Sequence, residues 1–268
     1  GKTYTVNTSD SKFASAFASG SSVKMYANVD PNNNRYYVRM EMALQRGASS
    51  NLSLVPAVRI TGSTGKKLAA TINNGEFIST GISGAVQGTS NGSISDMATG
   101  DNIIAVGAYT SASSFTTMTG SQMSFSGATG NGQLCAFSSY GTTYQGDRLP
   151  DLCAPGSAIV AAVNSYAYVS PDKRNYSAEA TFNNRKNYWA VMQGTSMACP
   201  FVSGAVALML EADPTLDVDK VRTILMETAI APSASATSDE KLQWGAGRID
   251  VLAAVKRVLD EKAGVGSI

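Results

Sequence analysis

The sequence contains no histidine among its 268 residues, and charged side chains make up only 15% of it. Histidine is the most frequent general base in enzymes and a common zinc ligand. This chain can therefore supply neither a histidine base nor a histidine ligand for zinc. The formal net charge is +1, from 21 lysine and arginine residues against 20 aspartate and glutamate residues. This balance gives no support for nucleic acid or an anionic membrane as the main partner.

Cysteine and long apolar runs are scarce as well. Cys135, Cys153 and Cys199 are too few and too oddly numbered for a disulfide framework, and none pairs at C-x-x-C spacing. We expect three small buried side chains, no metal site and no cofactor. No apolar run approaches the ~20 residues of a membrane helix, so no membrane partner is predicted. The abundance of Ser, Thr, Asn and Gly suits a secreted or cell-envelope bacterial hydrolase.

Residues 1–90 carry the pattern of short β-strands. Polar and apolar side chains alternate in "VKMYANV" (23–29) and "YVRMEMAL" (37–44), and "LVPAVRI" (54–60) and "KLAATI" (67–72) follow after turn-forming clusters. Period-two runs divided by Asn, Gly, Ser and Pro predict an antiparallel sheet, in the form of a sandwich or jelly roll. The expected role is structural or substrate-positioning.

Residues 91–268 follow a different pattern. "NIIAVGAY" (102–109) is typical of a strand buried on both faces, and "CAFSSYG" with "LPDLCAPGSAIVAAV" predicts a strand-turn-strand unit. Helical spacing then appears around 202–210, with Asp217 or Asp219 as the cap of the next helix and a last amphipathic helix in "RIDVLAAVKRVLDEKA". Buried strands followed by helices predict an α/β layer.

The stretch "QGTSMACPFVSG" (193–204) presents a serine where a nucleophile is commonly found. Gly194 allows close backbone approach, and Ser196 is predicted at a helix N-terminus, where its own amide can donate to an oxyanion. Pro200 is predicted early in the helix, where a missing N–H costs less. The same residues also suit a helix cap with no chemistry, so local physics leaves both interpretations open.

A longer pattern favours the catalytic interpretation. "GTSMACPFVSGAVALML" resembles the nucleophile motif of the subtilisin-like serine proteases, G-T-S-M-A-x-P-x-V-x-G. Four further stretches are similar to that family in the same order: "DNIIAVGAY", "FSSYGTTYQGDRLPDLCAPGSAIVAAV", "DPTLDVDKVRTILMETA" and "WGAGRIDVLAAV". The resemblance covers residues 93–258 and implies a parallel-sheet domain with Ser196 as nucleophile and oxyanion donor. The residues that complete the motif are Gly194, Thr195, Met197 and Pro200.

The sequence departs from the family in its other catalytic motifs. The aspartate and histidine motifs, D-[ST]-G and H-G-T-H, occur nowhere in it, and Phe201 stands where the family often has a non-catalytic histidine. Asn73 and Asn91 precede glycines as the oxyanion asparagine does, but neither has the flanking apolar strand, and neither is assigned. The chain therefore resembles the C-terminal portion of a subtilase, preceded by a β region where some anaerobe subtilases carry an inserted jelly roll.

This resemblance implies a serine endopeptidase that cleaves protein or peptide substrates, with this chain a catalytically incomplete and inactive part. The missing upstream part of the same domain is its expected partner. Two alternatives stay open: a non-catalytic pseudoprotease scaffold or peptide-binding protein, and a subunit whose missing half comes from a separate chain. We expect Asp151 to be structural, accepting from turn amides, and expect no calcium site at Asp96 and Asp101.

Overall fold

A computed structural model describes residues 2–5, 22–31, 34–43, 70, 72, 77–79, 83–143, 145–164, 166 and 175–264. The chain divides into two compact units, Gly1–Ala69 and Ala70–Ile268. This division falls before the boundary near residue 90 that the sequence pattern predicts. The strands expected at 54–60 and 67–72, apart from residues 70 and 72, lie outside the described residues, as does Asn73.

The first unit contains a three-stranded antiparallel sheet in the order β1-β2-β3, formed by Lys2–Thr5, Ser22–Val29 and Tyr36–Ala43. Strands β2 and β3 form a hairpin in which Ser22 lies opposite Ala43 and Val29 opposite Tyr36. Asn34, with φ 56°, donates from its amide to the Asp30 carbonyl and closes the turn. The two alternating runs thus form the strands predicted from them, while the jelly-roll form stays a prediction.

The second unit is built around a parallel pair of strands, β4 (Val106–Thr110) and β9 (Leu152–Ser157). Val106 lies opposite Leu152, and the other edge of β9 is bonded by residues 246–249. Shorter antiparallel pairs join β5 to β6 and β7 to β8, and β10, β12 and β11 form a sheet in that order. These strands are β5 (Ser114–Thr116), β6 (Gln122–Ser124), β7 (Gly141–Thr142), β8 (Arg148–Leu149), β10 (Ile159–Val163), β11 (Tyr176–Phe182) and β12 (Arg185–Met192).

Four α-helices follow in the described part of the second unit: α1 (Thr195–Ala212), α2 (Val218–Glu227), α3 (Ser238–Trp244) and α4 (Val251–Lys262). The predicted cap of α2 is confirmed, because the Asp217 side chain accepts from the Lys220 amide at 2.8 Å. Helix α1 packs on β4, β9 and α4 through its buried residues, and α2 packs on α4. This arrangement is the predicted α/β layer.

Helix α1 has the length and composition of a membrane-spanning helix, which inspection for apolar runs did not pick out. Its inward residues Ala198, Val202, Ala205 and Met209 are buried in the core of the second unit, as in a helix of a globular domain. The absence of a membrane partner stays a prediction.

Asp151 is a buried structural residue, but its partners differ from the turn amides expected. Its side chain is 1% exposed and accepts from the Ala105 amide at 2.7 Å. Arg222 on α2 donates to the other carboxylate oxygen through Nε at 2.9 Å and a terminal nitrogen at 2.5 Å. The carboxylate therefore joins the start of β4, the start of β9 and helix α2.

Three other expectations were wrong. Within "CAFSSYG", only the last residue, Gly141, belongs to a strand. The segment before it forms isolated backbone hydrogen bonds to β4 and within turns, and not the continuous ladder of a strand. Cys135 and Cys153 are buried, whereas Cys199 is exposed, since it lies at an open groove beside β4. Pro200 lies in the second turn of α1, where it has no N–H to donate to the Ser196 carbonyl.

Candidate active site

The turn before helix α1 places the predicted nucleophile. Strand β12 ends at Met192, and Gly194 takes φ 145° and ψ 160° before the helix begins at Thr195. This conformation favours glycine, because a side chain at that φ is strained. The Gly194 amide donates to the Gly156 carbonyl in β9 at 2.8 Å. The start of the helix is therefore fixed to the parallel strand pair.

Gly156 permits this contact because it has no side chain. A Cβ there would lie 2.5 Å from the Ala108 Cβ and 3.1 Å from the Gly194 carbonyl oxygen. Tyr109 lies opposite Pro155 and Thr110 opposite Ser157, so Gly156 is an extra residue in β9. Such a bulge bends the strand locally and brings its backbone close to the helix start.

Ser196 is the second residue of α1, and its side chain is exposed. Its hydroxyl makes no hydrogen bond with any residue that the structure describes. The amides of Met197 and Ala198 donate to the Gly194 carbonyl at 3.0 and 3.4 Å, as the helix begins. The Ser196 amide belongs to the first turn, which has no carbonyl four residues earlier within the helix and carries the positive end of the dipole. This position suits a donor to an oxyanion.

Gln193 forms one side of this turn, and sequence reasoning missed it. Its Oε1 atom is buried and has no hydrogen-bond partner among the residues that the structure describes. A Cβ on Gly127 would lie 3.3 Å from that oxygen and 2.5 Å from Cδ1 of Phe137, so the segment around Gly127 packs closely against Gln193. A buried acceptor without a donor costs about 1–3 kcal/mol. The signal in the sequence is only adjacency to the serine motif.

The buried ionisable groups of the second unit serve the fold. Burial raises the pKa of Cys153 and of Cys135, so both thiols stay protonated at neutral pH. Asp151 is engaged by Arg222 and the Ala105 amide. These groups already have structural roles, and the chain has no histidine to serve as a base for Ser196.

A groove of about 290 Å³ lies between β4 and helices α1 and α2. Cys199, three residues after Ser196 and on the same helix face, lies at this groove. The residues that line it are mostly apolar: Asn102, Ile104, Val106, Cys199, Val202, Ser203, Val206 and Val218. Phe201 is nearby in sequence and 45% exposed.

The sequence pattern leaves Asn91 unassigned and predicts no calcium site at Asp96 and Asp101. Asn91 forms a parallel bridge with Tyr140, and the Gly92 amide donates to the Tyr140 carbonyl. Asp96 and Asp101 are exposed. Among the residues that the structure describes, no three His, Cys, Asp or Glu side chains gather as metal ligands. The structure thus brings together Gly194, Thr195, Ser196 and Met197 with two residues that the motif does not contain, Gly156 and Gln193.

The fold and this turn define an α/β protein with a serine presented at a helix N-terminus beside a parallel strand pair. A profile of the subtilase family, peptidase S8, matches residues 68–247. The chain belongs to the subtilase family.

Individual relatives match shorter parts. Subtilisin-like proteases SBT4.8 and SBT4.10 of Arabidopsis thaliana are 34% and 35% identical over 127 and 108 residues, or 46% and 40% of this chain. These matches span 17% and 14% of those two proteins, so the chain corresponds to a small part of their length. The structure of the CspB protease of Clostridium perfringens aligns with 66% of this chain and 30% of its own, with 21% identity and a TM-score of 0.45.

Proposed function

We propose that this chain is the serine-bearing part of a subtilisin-like serine endopeptidase. The observation that carries the proposal is the position of Ser196. Its side chain is exposed on the first turn of α1, and the start of that helix is fixed by the hydrogen bond from the Gly194 amide to the Gly156 carbonyl. Family membership supports hydrolysis of peptide bonds in protein or peptide substrates.

In this proposal, Ser196 Oγ attacks the scissile carbonyl carbon and its proton passes to a histidine supplied from outside this chain. An aspartate, also from outside, holds that imidazole in the productive tautomer. The Ser196 amide donates to the oxyanion of the tetrahedral intermediate, and loss of one such donor typically lowers the rate about 10²–10³-fold, a magnitude known from subtilisin. The histidine then protonates the leaving amine, and water hydrolyses the acyl-enzyme.

The isolated chain is inactive under this proposal, because a serine hydroxyl without a base has almost no alkoxide at neutral pH. The β4–α1 groove accepts the upstream part of the domain, which would cover its apolar lining. The alternative is a scaffold that binds peptides without cleaving them.

Fluorophosphonate labelling, read by intact mass, tests the proposal on two proteins: the 268-residue chain and the protein carrying its upstream region. We expect no adduct on the chain alone, and one adduct per molecule of the longer protein that disappears in its Ser196→Ala variant. An unlabelled longer protein that still binds peptides favours the scaffold. An adduct at Ser196 in the chain alone would show that the chain contains its own base, contrary to the expected inactivity.

A further inference from the structure

One face of the β2–β3 hairpin carries an unusual set of polar and aromatic side chains. Tyr26 lies opposite Arg39, and Asn28 lies opposite Tyr37. Because side chains alternate between the two faces of a strand, these residues share one face while Met25, Ala27 and Val38 share the other. A concavity of about 200 Å³ is lined by these four residues and by Glu41, which lies opposite Lys24 on the same face.

Apart from the ion pair between Arg39 and Glu41, the polar groups in this concavity bind one another only loosely. The Tyr26 hydroxyl lies 3.5 Å from Glu41 Oε2, and Asn28 Nδ2 lies 3.5 Å from the Tyr37 hydroxyl. Both distances are at the outer limit of a hydrogen bond. The carboxamide and the two hydroxyls therefore keep most of their capacity to donate to or accept from a ligand.

The charges in the concavity cancel. Arg39 and Glu41 form an ion pair with an N–O distance of 2.7 Å, and they are the two charged side chains among the described residues that line the concavity. Lys24 lies opposite Glu41 on the same face but does not line the concavity. An ionic ligand would compete with this pair, whereas a neutral ligand can use the remaining donors and acceptors of both groups. The electrostatics thus fit an uncharged molecule rich in hydroxyl groups.

The two tyrosines supply the apolar part of the same surface. Tyr37 is 47% exposed, and a tyrosine ring offers a flat apolar face with a hydroxyl at its edge. A sugar ring has the matching chemistry, with C–H groups on its faces and hydroxyls around its rim. The concavity is smaller than the ~300–1,000 Å³ of sites for drug-sized ligands, and it is open, which suits one or two rings of a longer chain.

We propose that the Tyr26–Tyr37 face of the N-terminal sheet binds a neutral polysaccharide. A peptide is the weaker candidate, because a peptide would add its main chain to the edge of β3 rather than lie across the faces of β2 and β3. The proposal is independent of Ser196 and of any protease activity.

Pull-down of the 268-residue chain on insoluble cellulose, chitin and starch tests this site, with casein-coated beads as the protein probe. We expect retention on at least one polysaccharide, reduced roughly threefold to tenfold in apparent affinity by Tyr37→Ala and little by Tyr37→Phe, which keeps the ring. Tyr36→Ala is the matched control, because Tyr36 is 89% exposed and lies on the opposite face. Far-UV circular dichroism verifies that each variant is folded.

Three results would overturn the proposal. The first is no retention on any of the three polysaccharides. The second is equal loss of retention in Tyr36→Ala and Tyr37→Ala. The third is retention on casein alone that depends on Tyr37, which would assign the face to protein binding.

Discussion

At the scale of single residues, Asp151 shows how one buried carboxylate joins segments that are distant in sequence. Its side chain binds the Ala105 amide and the Arg222 guanidinium, while its own amide donates to the Ala105 carbonyl at 2.8 Å. The Ala246 amide donates to the Asp151 carbonyl, also at 2.8 Å. Every polar group of this buried residue is therefore paired, which makes the loss of any one partner costly.

We expect Asp151→Asn to lower the free energy of unfolding by about 2–4 kcal/mol, because the guanidinium of Arg222 loses its anionic partner in a mostly buried position. Urea denaturation monitored by circular dichroism measures the change. Asp101→Asn, at an exposed position, is the control and should stay within about 0.5 kcal/mol of the parent chain. Equal effects of the two substitutions would contradict the structural role of Asp151.

A second prediction at the residue scale concerns Gly156. We expect Gly156→Ala to destabilise the chain by about 1–3 kcal/mol, since the new Cβ would lie 2.5 Å from the Cβ of Ala108. Gly204→Ala in helix α1 is the matched control, because a Cβ there would meet no described atom within 4 Å apart from its chain neighbours and the adjacent backbone of its own helix, and it should stabilise by roughly 0.5–1 kcal/mol. Thermal unfolding of both variants gives shifts of opposite sign if the packing is as described.

At the scale of elements, helices α2 and α4 are joined by a chain of ion pairs. Glu261 accepts from Lys220 at 2.7 Å and from Arg257 Nε at 2.5 Å, and Arg257 also lies 3.7 Å from Glu227. Hydrogen bonds from Lys220 and then Arg257 lower the pKa of Glu261. Ion pairs between partly exposed side chains, together with packing of buried apolar residues, thus hold the two helices together.

The sign of the resulting pH dependence follows from the lowered pKa of Glu261. A carboxyl whose pKa is lower in the folded than in the unfolded chain stabilises the fold above the unfolded pKa, and this stabilisation is lost as pH falls through the folded pKa. We expect Glu261→Gln to cost about 0.5–1 kcal/mol at pH 7. In strongly acidic solution the parent chain and the variant should have equal stability, as urea midpoints at a series of pH values would reveal. Glu211→Gln, at an exposed position on α1, is the control and should stay within about 0.5 kcal/mol of the parent chain at pH 7.

Sequence patterns predicted the elements whose contacts are local. The 3.6-residue spacing of Val221, Ile224 and Leu225 matches the buried face of α2, and Asp217 caps it as expected. Strands β11 and β12 were missed. In "YSAEATF" Tyr176, Ala178, Ala180 and Phe182 alternate with polar residues, but the two alanines give only a weak apolar signal and all residues after Ser177 are exposed. Their pairing comes instead from backbone bonds, with Phe182 opposite Arg185 across a tight turn.

The candidate site was predictable only in part for a related reason. The serine motif lies in one continuous segment, so it is visible in the sequence. The contributions of Gly156 and Gln193 depend on Ala108 and Gly127, which are distant in sequence. Periodicity also identifies the apolar face of α1 without saying what covers it, which is why Cys199 was expected to be buried.

At the scale of the whole molecule, the reactivity of the three cysteines measures which parts of the structure are open to solvent. We expect one of the three thiols to react quickly with Ellman's reagent in the folded chain, since Cys199 is exposed while Cys135 and Cys153 are buried with raised pKa values. The Cys199→Ser variant should lose the fast phase. A fast phase that persists in this variant would contradict the burial of the other two.

The same thiol tests the proposed docking of an upstream segment. In the protein that carries its upstream region, we expect the reaction of Cys199 to slow at least tenfold, because the groove between β4 and α1 would be covered. Addition of urea to unfold the protein should restore three reactive thiols, which serves as the control. An unchanged rate in the longer protein would mean that the upstream region leaves this groove open.

The second edge of strand β9 is completed by the amides and carbonyls of residues 246–249. The Cys153 amide donates to the Gly247 carbonyl at 2.8 Å, and the Ile249 amide donates to the Cys153 carbonyl at 2.9 Å. During translation, β4, β9 and helix α1 are synthesised before residues 246–249. A domain generally folds as a unit, once all the segments that pair with one another have been synthesised. During synthesis, the nascent chain therefore carries Ser196 beside an incomplete sheet until residues 246–249 emerge and pair with β9.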